Sequence, residues 1–176
     1  KIIFILSLFL AMFNFYLVFN IFDKKILIRE HKEDLYLLLL SIILIAFISF
    51  NTNNELDLII SVVSSLSNSG LTLIKPGNLS LYFLLITIIG GSLISNTSGI
   101  KLVRFYILIK TAVSEITKLI SPNSIINTTI FDTDTKITDD YIKISFLIFI
   151  SFFLSLFILS SFLVLDNIGF EKSFKL

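Results

Sequence analysis

The sequence predicts an all-α integral membrane protein built from repeats of a helix, a re-entrant loop that opens with a short helix, and a second helix. Composition and patterning lead to this prediction. Hydrophobic residues make up 55% of the 176 positions and charged residues only 15%, whereas about a quarter of the residues of a soluble domain are charged. The apolar residues are also gathered into long runs, which is typical of membrane spans.

The composition also excludes several kinds of site. The chain has no cysteine and one histidine, His31, so neither a disulfide framework nor a thiolate or multi-histidine metal site can form within it. We expect His31 to be a solvated loop residue. The formal net charge of +1 does not suggest nucleic-acid binding. The apolar runs hold almost no ionisable residue that could act as a membrane-embedded catalyst, so we predict no enzymatic activity.

The first two apolar runs are candidates for membrane-spanning helices. Residues 2–22 provide about the 20 residues needed to cross a hydrocarbon core of ~30 Å. A charged segment at 23–34 separates this run from a second one at 35–50. The second run is slightly short, so its helix is expected to extend into the polar flanks.

Residues 55–66 are expected to form a short helix. Either Asn53 or Asn54 can cap it. Glu55 and Asp57 suit its positive N-terminal end, although they could also concentrate cations at an outer mouth. Roughly twelve residues are too few to cross a bilayer. A helix that enters the membrane and turns back is therefore the expected structure.

A third apolar stretch, 79–112, is interrupted at 90–99 by small and polar residues. Neither half is long enough to span alone, whereas one interrupted helix made of both halves is long enough. Non-helical backbone at membrane depth is tolerated only where protein or a water-filled cavity surrounds it. The interruption is therefore predicted to line a cavity or to pack against other helices.

The rest of the chain is predicted to hold a polar linker, 113–140, and a final spanning helix, 141–165. A short amphipathic helix is expected to run to Ile120 and to end before Pro122. Asp139 or Asp140 can cap the last helix. Its Phe-rich stripes at 145–162 are expected to face lipid or neighbouring helices.

The same order of features occurs twice. An apolar run followed by Asn or Asp and then by an acidic residue is found at 35–57 and again at 141–171. The second copy stops where its re-entrant helix should begin, and the chain opens at Lys1 within an apolar run. We therefore expect the protein to continue at both ends.

The placement of Lys and Arg predicts the orientation. The basic residues of 24–32 and of 101–143 fall on one side if residues 35–112 cross the membrane and return. That side is predicted to be cytoplasmic. The assignment requires residues 55–72 to be re-entrant, in agreement with their length.

Two segments are candidates for an ion path. Backbone carbonyls in SNSGLT (67–72), at the negative C-terminal end of the short helix, could replace the hydration shell of a cation. An ordinary polar turn explains this segment equally well. Residues 90–104, GGSLISNTSGIKLVR, could free the backbone to line a wet cavity, or they could form a kink packed against other helices.

The stretch IIGGSLISNTSGIKLVRFYILIK (88–110) resembles the Trk/Ktr/HKT potassium-transporter superfamily, specifically its TrkH-like pore subunits. SNSGLT is similar to the filter strand of that family, with Gly70 at the filter glycine. AMFNFYL (11–17) with REHKEDLYLLL (29–39), and TKLISPNSI (117–125), resemble family junctions. The resemblance covers essentially the whole chain. The matching positions of the first stretch are Gly90, Gly91, Ser95, Gly99, Ile100, Lys101 and Arg104.

The resemblance implies a fragment of a K⁺-channel-like transporter with helix–re-entrant pore loop–helix repeats. Four repeats surround one pore in the family, so this chain could not close a pore alone. The implied map is the end of the second repeat with its connector (1–34), the third repeat (35–112), a cytoplasmic linker (113–140) and the start of the fourth repeat (141–176).

The resemblance also implies roles for particular residues. The ion-binding filter would be formed by the carbonyls of Ser67, Asn68, Ser69 and Gly70. The gate loop would comprise Gly90, Gly91, Ser92, Ser95, Asn96, Thr97, Ser98 and Gly99. Lys101 and Arg104 could contact the gate or a regulatory subunit, although the positive-inside rule favours cytoplasmic anchoring.

The gate loop departs from the family in having fewer glycines. Ile94, Asn96, Thr97 and Ser98 stand where the family often has Gly, Thr, Gly and Gly. The loop is therefore expected to be stiffer, since two of these residues are β-branched. A degenerate transporter paralogue or a non-transporting scaffold is the alternative to a transporter.

The remaining expectations also come from the resemblance. The transported ion would be K⁺, or alternatively Na⁺, with no covalently bound cofactor and no other metal. The protein would be a homodimer with a cytoplasmic nucleotide-binding regulatory subunit, and it would lie in the bacterial inner membrane as a multi-pass component of a Trk system.

Overall fold

The computed structural model describes residues 1–22, 31–50, 55–71, 73, 80–121, 129–131, 133, 135–166 and 169. Every regular element within these ranges is helical, which confirms the all-α prediction for them. The helices are α1 (Ile2–Met12), α2 (Phe15–Phe22), α3 (Lys32–Ser49), α4 (Glu55–Ser67), α5 (Ser80–Ile88), α6 (Leu102–Ile120) and α7 (Asp139–Leu165). Asn53, Asn54, Thr72 and Pro122 lie outside the described residues.

The first apolar run is divided into two helices, α1 and α2, where the sequence predicted one span. The backbone of Phe13 is extended, with φ −78° and ψ 163°. The Asn14 side-chain oxygen then accepts the N–H of Tyr16 at 2.9 Å, which is the bond of an N-cap residue. An asparagine in the middle of an apolar run thus ends one helix and begins the next.

The short helix α4 lies at the centre of the packing and contacts α1, α3 and α5. Leu58, Val62, Val63 and Leu66 are at most 1% exposed. With 13 residues, α4 is about 20 Å long at 1.5 Å per residue. Its predicted re-entrant course therefore agrees with its length, and that course remains a prediction.

The predicted interruption of the third apolar stretch is present between α5 and α6. Helix α5 ends at Ile88 and α6 begins at Leu102. Helix α6 then runs without a break to Ile120, past residue 112, where the sequence placed the end of the inner helix. No proline or glycine occurs between 102 and 120, so nothing in the chain ends the helix earlier.

Helix α7 packs against α6 and exposes much of its apolar surface. Among the described residues, it alone has both the length and the apolar composition to cross a membrane unaided. Phe146 and Phe162 are 55% and 63% exposed. The surface expected for lipid or neighbouring helices is thus accessible in this chain.

A short turn fastens the linker to the helices. Phe131 stacks on Tyr106 with ring centroids 4.3 Å apart and on Tyr36 at 5.1 Å. Lys110 donates a hydrogen bond to the carbonyl oxygen of Thr129. This turn, which lies within the predicted cytoplasmic linker, contacts both α3 and α6.

Candidate functional site

The C-terminal end of α4 closes in a Schellman motif. Asn68 adopts the left-handed conformation, with φ 54°. Its N–H bonds to the carbonyl of Ser65 at 3.3 Å, and the N–H of Ser69 bonds to the carbonyl of Ser64 at 3.0 Å. These two bonds define the motif, and asparagine tolerates its left-handed position better than other residues with a side chain. The chain therefore reverses at Asn68, directly after the helix.

Serine hydroxyls of α4 hold the segment that follows. The Ser64 hydroxyl accepts the N–H of Leu71 at 2.9 Å and lies 2.8 Å from the Ser69 hydroxyl. The Ser61 hydroxyl accepts the N–H of Leu73 at 3.2 Å. The chain after α4 therefore runs back along the helix, bonded to serines in two successive turns of one face.

The outer face of this segment borders open space. Ser69, Gly70 and Leu71 are exposed. Gly70 has φ 73°, and a Cβ added there would meet no atom within 4 Å. Glycine is therefore favoured at position 70 by backbone conformation rather than by crowding.

The interruption between α5 and α6 is a loop whose two ends are hydrogen-bonded to each other. The N–H of Gly90 bonds to the carbonyl of Ile100 at 2.9 Å, and the N–H of Ile100 bonds to the carbonyl of Ile88 at 3.0 Å. A Cβ at Gly90 would lie 2.3 Å from the carbonyl oxygen of Ser98. The base of the loop can therefore close only with glycine at position 90.

Hydroxyl groups fasten the interior of the loop. The Thr97 hydroxyl accepts the N–H of Gly91 at 2.9 Å and lies 2.8 Å from the Ser95 hydroxyl. The Ser95 hydroxyl donates to the carbonyl of Ser92 at 2.7 Å. Ser92 and Thr97 are buried, whereas Asn96 and Ser98 are exposed. Threonine in place of a family glycine thus supplies an internal bond of the loop.

Lys101 folds back onto the loop. Its ammonium group donates to the carbonyl oxygens of Ser95, at 3.1 Å, and of Thr97. It also lies 3.0 Å from the Ser95 hydroxyl and 3.3 Å from the Thr97 hydroxyl. Lys101 therefore contacts the loop, and its cytoplasmic location stays a prediction. Arg104 is half-buried in the first turn of α6, where its N–H bonds to the carbonyl of Lys101 at 3.0 Å.

The two candidate segments meet at Asn68. Its side-chain amide nitrogen donates to the carbonyl oxygen of Thr87, near the end of α5, at 3.2 Å. The same nitrogen would lie 2.9 Å from a Cβ at Gly99. The turn after α4 and the loop between α5 and α6 are therefore in direct contact.

The structure also shows residues around the loop that the sequence did not single out. The Met12 carbonyl, at the end of α1, accepts the N–H of Ser92 at 3.0 Å. The Glu33 carboxylate accepts the N–H of Leu93 at 2.7 Å. These partners are remote in sequence, so helix periodicity and local motifs carry no signal for them.

Glu33 lies in the charged segment ahead of the apolar run 35–50. Burial raises the pKa of its carboxyl to about 7, and the negative charge of Asp34 acts in the same direction. The Leu93 N–H and the charge of Lys101 oppose this shift of the pKa.

The expectation of a solvated His31 is wrong, because its side chain is only 7% exposed. Its Nδ1 lies 3.4 Å from the Asp34 carboxylate, and its Nε2 lies 3.1 Å from the amide nitrogen of Asn20.

Asp57, proposed as a helix-start residue or a cation-concentrating group, pairs with Lys1 at 2.7 Å.

Comparison with known proteins relates this fold to transporters, although no family model matches the chain. Over 107 residues, 58% of the chain, it is 33% identical to an uncharacterized cation transporter of Methanocaldococcus jannaschii, of which it covers 22%. The crystal structure of the potassium transporter TrkH from Vibrio parahaemolyticus superposes on 97% of the chain with a TM-score of 0.82 and 16% identity. The chain spans 40% of that TrkH chain. The resemblance expected from residues 88–110 is thus confirmed in the fold, which is that of part of TrkH.

Proposed function

We propose that this chain is part of the pore-forming subunit of a cation transporter that moves K⁺ across the cell membrane. The observation that carries this proposal is the contact of Asn68 with Thr87 and Gly99. It joins the turn after a short central helix to a loop that interrupts another helix, within a fold shared with a potassium transporter. A gate loop directly below a filter would make such a contact.

The segment 67–70 is proposed as this chain's contribution to the filter. Backbone carbonyls can replace the hydration shell of a permeating ion. The C-terminal end of α4 carries a partial negative charge at this point, which favours a cation. The serine hydroxyls bond to Ser69, Leu71 and Leu73 and so restrain the backbone that carries these carbonyls.

The loop 90–99 is proposed as the gate below this filter. Hydroxyl bonds within it and the Lys101 ammonium keep it compact. The ammonium group satisfies oxygens of Ser95 and Thr97 that a passing cation could otherwise contact. A loop fastened in this way would limit the flux of ions, in agreement with the stiffness expected from its lost glycines.

The assembly of the complete transporter is proposed by resemblance. It would comprise further repeats of the same protein around the pore, a homodimer and a cytoplasmic nucleotide-binding subunit, in the bacterial inner membrane. K⁺ is the proposed ion, with Na⁺ as the alternative.

Substitution of Gly70 tests the proposal in the full-length protein. Gly70→Asp should abolish K⁺ uptake in a transport-deficient host while membrane expression is retained, because it strains a left-handed residue and adds a carboxylate to the open face. Gly169→Asp is the matched control, since a Cβ at Gly169 also meets no atom within 4 Å. Normal uptake by Gly70→Asp would reject the filter and favour the scaffold or degenerate-paralogue alternative.

A further inference from the structure

The gate loop is held from outside by the break between α1 and α2. The N–H of Ser92 bonds to the carbonyl of Met12 at 3.0 Å, and the N–H of Phe15 bonds to the carbonyl of Ile94 at 3.0 Å. Helix ends leave backbone groups without intrahelical partners. The break supplies one such acceptor and one such donor, and residues 92–94 of the loop bond to both.

The first turn of α3 also binds at this junction, where residues 92–94 of the loop meet the α1–α2 break. The Glu33 carboxylate accepts the N–H of Leu93 at 2.7 Å, and the Asp34 carboxylate accepts the N–H of Asn14 at 2.9 Å. Two consecutive acidic residues therefore bind the two sides of the junction, one each. The N–H of Leu93 lies between the two backbone bonds of the loop, and that of Asn14 lies within the break.

Asp34 is held in place by a buried neighbour. Asp34 is 3% exposed, and its second carboxylate oxygen lies 3.4 Å from Nδ1 of His31. Nε2 of His31, on the other side of the ring, lies 3.1 Å from the Asn20 amide nitrogen. One carboxylate oxygen of Asp34 thus accepts the N–H of Asn14, and the other faces His31 without a hydrogen bond.

We propose that Glu33 and Asp34 are positioning residues that clamp the gate loop to the α1–α2 break. The inference rests on the proposed function of the loop, and it adds residues outside the filter and the loop. Movement of residues 92–94 away from the α1–α2 break must break their backbone bonds to Met12 and Phe15, and movement away from α3 must break the bond between Glu33 and Leu93. The closed position of the loop is therefore set by the start of α3 and by the break in the preceding helix pair.

Hydrogen exchange in the full-length protein tests the clamp without reference to transport. Glu33→Ala should accelerate amide exchange in the peptide 89–101 by about tenfold, the effect of losing one hydrogen bond to a half-buried carboxyl group. Exchange in α7 should not change. Glu33→Gln keeps an oxygen acceptor and should restore protection. Glu115→Ala is the matched control, because Glu115 is exposed and pairs only locally with Lys118.

Uptake measurements link the clamp to the gate. Glu33→Ala should raise K⁺ uptake, and Glu33→Gln should return it towards the wild-type rate. If Glu33→Ala reduces the amount of folded protein, Glu33→Asp withdraws the carboxylate by one methylene and should change exchange in the same direction.

Each outcome separates the clamp from the transport function. Unchanged exchange in 89–101 for both Glu33→Ala and Glu33→Asp would overturn the clamp. Loss of protection that Glu33→Gln does not restore would also overturn it, since the acceptor would then not be the cause. Faster exchange in a protein whose wild type carries no K⁺ would leave the clamp standing and reject the transport function.

Discussion

Asn68 and Gly99 lie so close that a Cβ on residue 99 would stand 2.9 Å from the Asn68 amide nitrogen. One residue belongs to the turn after α4, and the other belongs to the loop before α6. The same nitrogen bonds to the carbonyl of Thr87 at the end of α5. We therefore expect a displacement of the loop to affect the segment proposed as the filter.

Two substitutions at Asn68 separate its backbone role from its side-chain role. Asn68→Gly keeps the left-handed conformation and removes the bond to Thr87, so we expect a loss of stability of about 1 kcal/mol. Asn68→Ala removes the bond and also strains the backbone, which adds roughly 1 kcal/mol or more. Thermal unfolding of the purified full-length protein measures both values. Equal losses for the two variants would contradict the left-handed cap.

Gly99→Ala should destabilise the loop by about 1–3 kcal/mol, because φ is 87° and the added methyl group meets Asn68 and Thr87. We also expect altered K⁺ uptake, since the methyl group pushes the loop away from the filter segment. Thermal unfolding and uptake are the measurements. Gly169→Ala is the control, because it adds the same methyl group where no atom lies within 4 Å.

Lys101→Met should loosen the gate loop. Methionine has an unbranched side chain of similar length, but it lacks the ammonium group that contacts the oxygens of Ser95 and Thr97. If the loop limits flux, uptake of K⁺ should rise at a given external concentration. Lys143→Met, at an exposed position on α7, should leave uptake unchanged. A rate equal to that of the wild type in Lys101→Met would indicate a packing kink rather than a gate.

Ser64→Ala should weaken discrimination between K⁺ and Na⁺. The hydroxyl bonds both to the N–H of Leu71 and to the Ser69 hydroxyl, so its loss frees the filter segment at a stability cost of about 1 kcal/mol. Competition between the two ions during uptake measures the effect. The control is Ser155→Ala, whose hydroxyl bonds only within α7, to the carbonyl of Phe152 at 2.7 Å. Equal selectivity in both variants would argue against the serine support.

The helices of this protein were largely predictable because their causes are local. The short α4, the interruption at 90–99 and the long α7 follow from the length of each apolar run and from the breakers between runs. The break at Asn14 had a local signal, since Asn14 is a polar residue within an apolar run. The high average hydropathy of residues 2–22 nevertheless predicted a single helix. The end of α6 at Ile120 agrees with the sequence, but the sequence divided residues 102–120 between an inner helix and a separate short helix, although no helix-breaking residue lies near residue 112.

The sequence by itself determined the all-helical fold class, the position of the candidate filter after a short helix and the position of the interrupted helix. Each depends on neighbouring residues, which act on one another through backbone geometry and hydropathy. Only the tertiary structure decided that Lys101 folds onto the loop, that His31 is buried and that Glu33 accepts the N–H of Leu93, 60 positions away. A bond between remote residues depends on how helices pack, and that packing leaves no periodic or local trace in a single chain.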